Sequence, residues 1–78
     1  MFDYKQYQKE SVKKLGFDPD KLTETQIDVL LTPSEAPENY YHDGEVSHTE
    51  AKKIWQNKMR QSGFNEAEIK RVTKNFNL

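Results

Sequence analysis

Val46-Ser47-His48-Thr49-Glu50-Ala51-Lys52-Lys53-Ile54-Trp55-Gln56-Asn57-Lys58-Met59-Arg60-Gln61-Ser62-Gly63-Phe64 carries both ends of a helix in its own letters. Ser47 is an N-cap residue, and Glu50 stands three positions later, where its side chain can reach back to the cap's backbone N–H. Ala51, Ile54, Trp55, Lys58 and Met59 then fall at i, i+3, i+4, i+7 and i+8, with only Lys58 polar. That spacing puts one apolar stripe on one face. Gly63 takes the left-handed conformation that lets the last carbonyls bond backward, and Phe64 after it folds onto Met59. The stretch predicts a helix over 47–62, with Trp55, its largest apolar side chain, at the centre of the core.

The same spelling recurs on either side. Leu22-Thr23-Glu24-Thr25-Gln26-Ile27 and Phe64-Asn65-Glu66-Ala67-Glu68-Ile69 each pair a capping residue with an acid or amide three positions on. Gly16-Phe17 repeats the stop signal of Gly63-Phe64. Helices are thereby expected over 3–15, 23–31 and 65–76 as well. Their stripes are Tyr4, Tyr7, Val12 and Leu15; then Ile27, Leu30 and Leu31; then Ile69, Val72 and Phe76. Each stripe is one-sided, so each helix needs a partner. No segment alternates apolar and polar residues as a strand does. The expected fold is all-α: one domain over 1–78, a small bundle of four short helices with a long ordered loop, 32–46, between helices 2 and 3. With 33% hydrophobic and 32% charged residues in 78, the core is small and the helix ends must carry part of the stability.

The loop concentrates the candidate protein-binding residues, Tyr40, Tyr41 and His42. Pro33 and Pro37 argue against a continuous helix there, and a connection of this length is often functional. In an extended segment one tyrosine would plug the core while the other faces solvent. The segment Asn39-x-Tyr41-x-Asp43-Gly44-Glu45-Val46-Ser47-x-x-Glu50 also resembles an EF-hand calcium loop at the glycine, the apolar position and the closing glutamate. Tyr41 stands where a ligand belongs, Asn39 replaces the usual first aspartate, the prolines break the entering helix, and Ser47 with Glu50 is already used as a cap. No metal site is therefore expected.

Other inventories are empty. The chain has no Cys, which excludes thiol catalysis and Cys-based zinc sites. His42 and His48 do not form a compact two-histidine motif, and there is no glycine-rich phosphate loop or nucleophile motif. The reading is no enzyme and no cofactor. No apolar run approaches the length of a membrane span, and the start MFDYKQYQKE has no apolar signal core, so no membrane partner and a cytoplasmic location are expected.

Charge divides the chain. Residues 1–46 hold five lysines against ten acids, a balance of −5, and residues 47–78 hold seven bases against three acids, a balance of +4. The pattern Met59-x-x-x-Gly63-Phe64-Asn65-x-x-x-Ile69-x-x-Val72 resembles helix-turn-helix units, and its Gly-Phe turn also resembles ubiquitin-associated-type modules. The first resemblance implies nucleic-acid contacts from Lys52, Lys53, Arg60, Lys70, Arg71 and Lys74. Glu66 and Glu68 oppose it, because they occupy the turn that would approach phosphates and suit helix capping instead.

The leading expectation is a non-enzymatic accessory or regulatory module that binds a larger protein. The alternative is a nucleic-acid-binding protein using the basic C-terminal hairpin. Pro37-Glu38-Asn39-Tyr40-Tyr41-His42-Asp43-Gly44-Glu45, with Ala51, Trp55 and Gly63, resembles short uncharacterised proteins of phages and mobile elements. That resemblance implies action on a host or defence protein, or gene regulation, and no catalytic residue. Tyr4 with Tyr7, or the strip at Val29, are candidate self-association surfaces. Truncating Trp55 to Ala is expected to cost about 3–5 kcal/mol, as for other large core aromatics. Urea unfolding measures it, and unchanged stability with lost partner binding would turn the indole outward.

Overall fold

A computed structural model describes residues 3–78, and the side chain of Asp43, named above as a calcium oxygen, lies outside the described residues. Five α-helices follow one another: α1 Tyr4–Lys14, α2 Glu24–Glu35, α3 Pro37–Tyr41, α4 His48–Gln61 and α5 Glu66–Asn75. Single 3-10 turns, Pro19–Lys21 and His42–Gly44, sit before α2 and after α3. Among the described residues there is no strand. α4 lies at the centre, against α2, α3 and α5, while α1 packs on α2.

The cap residues act as read from the sequence. Thr23 and Asn65 form full capping boxes with Gln26 and Glu68. Ser47 Oγ accepts the Glu50 N–H at 3.2 Å, which is the forward half of a box. Gly16 and Gly63 have φ of +88° and +100°. Behind them Phe17 N–H reaches Val12 O at 3.2 Å and Phe64 N–H reaches Met59 O at 3.1 Å, the long bond of the Schellman motif. α5 ends the same way with Asn77 in place of glycine, φ 59°, and Leu78 N–H on Thr73 O at 3.1 Å. Asn tolerates this conformation better than most residues.

The core is Val12 of α1 and Leu15 just after it, Leu30 and Leu31 of α2, Tyr40 of α3, Ala51, Trp55 and Met59 of α4, Phe64, and Ile69 and Val72 of α5. Trp55 sits at its centre, 2% exposed. Tyr4 and Tyr7 share the apolar stripe of helix 1 with Val12 and Leu15 but are 52% and 45% exposed. α1 buries only its C-terminal half, and Tyr4 lies at the surface with its hydroxyl donating to Glu35 Oε2 at 2.7 Å.

The expected loop 32–46 is mostly helical, so the four-helix description is too coarse. α2 runs four residues past 31 and contains Pro33. Proline lacks the N–H that would bond to the carbonyl four residues back, here that of Val29. The Trp55 indole N–H donates to that carbonyl at 2.8 Å. Thr32 Oγ1 bonds back to Asp28 O at 2.7 Å and Ser34 Oγ to Leu31 O at 3.1 Å. Of these three bonds, the one from Trp55 replaces the backbone donor that Pro33 cannot supply. Pro37 begins α3 at a position where a missing N–H has no helical partner to lose.

Trp55→Phe is expected to cost about 1–3 kcal/mol beyond its lost volume, because the Val29 carbonyl loses the indole donor. In a Pro33→Ala background residue 33 regains an N–H for that carbonyl. The same Phe substitution should then cost less, by about 0.5–1.5 kcal/mol. A double-mutant cycle in urea measures the coupling, and additive costs would refute the exchange of donors.

Candidate functional site

α3 is a single short helix that turns Tyr40 and Tyr41 in different directions. Tyr40 is 2% exposed and Tyr41 40%. The inside-and-outside division matches the reading from the sequence, but its cause is the helical turn rather than an extended strand. Tyr40 meets Trp55 edge-on, with ring centroids 6.2 Å apart, and Tyr41 stands edge-on to Tyr40 at 4.8 Å. The exposed ring of Tyr41 lies over His48 of α4, with centroids 6.0 Å apart and a tilt of 33°. The Tyr40 hydroxyl is buried without a hydrogen-bond partner among the described residues. Burial first, and then the neighbouring Tyr41, raise its pKa, so the phenol stays protonated.

His42 leaves this aromatic face. It closes α3 in the left-handed conformation, φ 51°, with its N–H on Glu38 O. Histidine is among the residues that visit this region more readily than most. The consequence is that His42 lines a separate groove with Asp28, Thr32, Glu38, Asn39, Glu45 and Lys58. The three expected contact residues are therefore divided: Tyr40 belongs to the core, Tyr41 to an exposed aromatic pair, and His42 to an adjacent groove with three carboxylates. His48 is the residue the sequence did not signal. It is the first residue of α4, seven positions from Tyr41, and only the turn between the helices brings the rings together.

The basic set is divided too. Arg60, Lys70 and Lys74 line one groove between α4 and α5, together with Gln56, Glu66 and Thr73. Gln56 Nε2 donates to Thr73 Oγ1 at 3.1 Å on its floor. Arg60 is committed within the fold. Its Nε and one terminal nitrogen bind Glu66 at 2.6 and 2.8 Å, and the other terminal nitrogen binds Asn57 Oδ1 at 2.7 Å. Arg71 faces elsewhere, its guanidinium 4.7 Å above the ring of Phe17. Lys52 is half-buried and Lys53 exposed, both near the start of α4. Glu68 is held as a cap, accepting the Asn65 N–H at 2.9 Å.

The segment resembling a calcium loop is built otherwise. Asn39 and Tyr41 are in α3, and Ser47 Oγ is occupied by the Glu50 N–H. Among the described residues no three His, Asp or Glu side chains converge as metal ligands. No described helix is long and apolar enough to cross a membrane. No family model, curated protein or solved structure matches this chain.

The hydrogen bond from Arg60 holds the Glu66 carboxyl below its usual range; partial desolvation opposes the shift and the charge of Arg60 adds to it. A lowered folded-state pKa gives stability that is present above the ordinary carboxylate range and is lost as pH falls through the folded value. Glu66→Gln should therefore lower the melting temperature at neutral pH, and the gap to the parent chain should close in strong acid. Melting curves across that pH range measure it, and a constant gap would mean that the pair does not hold Glu66 ionised.

Proposed function

We propose that this chain is a non-enzymatic protein-binding module that docks on a basic patch of a larger protein. The observation that carries the reading is the exposed Tyr41–His48 pair backed by the buried Tyr40. An aromatic side chain held by its neighbours loses little freedom on binding, and such residues dominate interface energies. Asp28, Glu38 and Glu45 beside His42 favour a partner that brings lysine or arginine. A guanidinium could also sit on the outer face of Tyr41. The resemblance of residues 37–45, with Ala51, Trp55 and Gly63, to short phage and mobile-element proteins would make that partner a host or defence protein.

Nucleic-acid binding through the α4–α5 groove is the second reading, supported by Arg60, Lys70 and Lys74 lining one surface. It is the weaker, because Glu66 already occupies the guanidinium of Arg60 and adds negative charge to that surface.

Affinity capture from a native lysate, with nuclease added, separates the two. Tyr41→Ala, checked by circular dichroism for unchanged helicity, should weaken capture of the partner by about 30-fold, the effect of a hot spot near 2 kcal/mol. The double substitution Lys70→Ala and Lys74→Ala should leave it intact. Capture that needs nucleic acid, or that survives Tyr41→Ala, overturns the reading.

A further inference from the structure

The groove between α1 and α2 has walls of opposite charge. Lys5 and Lys9 stand on the α1 side, Glu24 and Asp28 on the α2 side, and the half-buried Leu22 and Ile27 lie between them. Each pair is four residues apart on its helix, about 6 Å along the axis. The two walls therefore present their charges at the same repeat. Among the described residues no lysine of one wall comes within 4.0 Å of a carboxylate of the other. Both walls are left for something else to neutralise.

α1 itself is under-supported on this side. It has 11 residues, and the one fully buried position within it is Val12, in its last turn. In its first two turns Tyr4 and Gln8 donate to Glu35 of α2, at 2.7 Å and 3.3 Å. A helix of this length is marginal without tertiary cover.

We infer that two copies of this chain associate through this groove. In the pair the two grooves face each other with α1 of each copy opposite α2 of the other, so that the Lys5–Lys9 wall of one meets the Glu24–Asp28 wall of its mate. A surface with both signs at one spacing is self-complementary about a two-fold axis, the commonest symmetry of soluble oligomers. A second copy supplies an apolar ridge, a basic edge and an acidic edge together. The contact uses neither Tyr41 nor His48 and shares only Asp28 with the function proposed above, so reversing Lys5 and Lys9 tests it without touching that function.

Sedimentation equilibrium tests it on the whole chain. At low salt the mass should rise from 9.2 kDa toward twice that value as concentration is raised from about 10 µM to about 1 mM, the range of a small interface. Added salt should weaken the association. The double substitution Lys5→Glu and Lys9→Glu should raise the dissociation constant at least about tenfold by setting like charges face to face. Lys5→Glu puts an acid in the first turn of α1, which suits the dipole, and Lys9→Glu puts one four residues before Lys13, so this variant should keep α1 folded. Mixing it with a Glu24→Lys and Asp28→Lys variant should restore a mixed dimer. Glu24 opens α2, so Asp28→Lys alone replaces that variant if its helical signal falls. A chain that remains at 9.2 kDa at the highest concentration overturns the inference. So does a dimer indifferent to the Lys5 and Lys9 reversal, or one that mixing fails to restore. Association with a different protein but not with itself would assign the groove to a foreign helix and overturn it equally.

Discussion

The indole N–H of Trp55 on the carbonyl of Val29 joins the two helices on which everything else rests. It answers two demands at once. A buried tryptophan must find an acceptor for its single donor, and a helix containing proline leaves one carbonyl without its usual N–H. In this chain the proline is Pro33, the freed carbonyl is that of Val29, and the indole fills the gap. α2 can then continue to Glu35, and its extra turn is what carries α3 onto α4. Tyr40 packs beside the indole as a result, and Tyr41 is set on His48. The aromatic surface feature thus depends on one hydrogen bond in the core.

At the other end of the bundle the two Gly-Phe corners meet. Phe17, after Gly16, and Phe64, after Gly63, stand edge to face with centroids 5.5 Å apart. Gln26 adds a third helix end: its side chain accepts the Thr23 N–H at 2.8 Å and donates to Ser62 O at 2.8 Å. One amide therefore starts α2 and helps to stop α4. Arg71 closes the corner over Phe17 and packs along Gly16, where an added Cβ would meet its guanidinium at 3.5 Å. A chain with so little apolar content holds together by fastening helix ends to one another as much as by filling a core. The same fact removes Arg71 from the basic surface.

What could be read from the sequence follows from this division. Ser47, Thr23, Asn65, Gly16 and Gly63 mark their helix ends through bonds that span at most five residues, so local spelling is enough. Trp55 was legible as the core because it lies on the most complete stripe. The 32–46 segment reads as a loop from the sequence because the carbonyl that Pro33 leaves free takes its donor from Trp55, 22 positions beyond Pro33, and no local rule contains that compensation. Tyr4 shares the apolar stripe of its helix yet stands at the surface, because helical period alone does not say how far along its length a helix is covered. The site followed the same line. Tyr41 could be singled out as a residue, but its pairing with His48 and its separation from His42 depend on the left-handed turn at residue 42. The basic residues were visible as a count, while their division by Glu66 and Phe17 is tertiary.

Asp28 ties the two proposed surfaces together. It lines the α1–α2 groove beside Glu24, and it also lines the His42 groove with Glu38 and Glu45. One carboxylate cannot be fully neutralised from both sides. On the readings proposed here, a lysine from a second copy at Asp28 would remove one of three negative charges from the surface offered to a basic partner. Self-association and partner binding would then oppose each other, and linkage makes the opposition reciprocal: each lowers the affinity of the other by the same factor. The coupling is confined to the charge at Asp28, because Tyr41 and His48 line neither groove. An aromatic contact indifferent to self-association and an electrostatic one that competes with it would give this small chain a binding surface tuned by its own concentration.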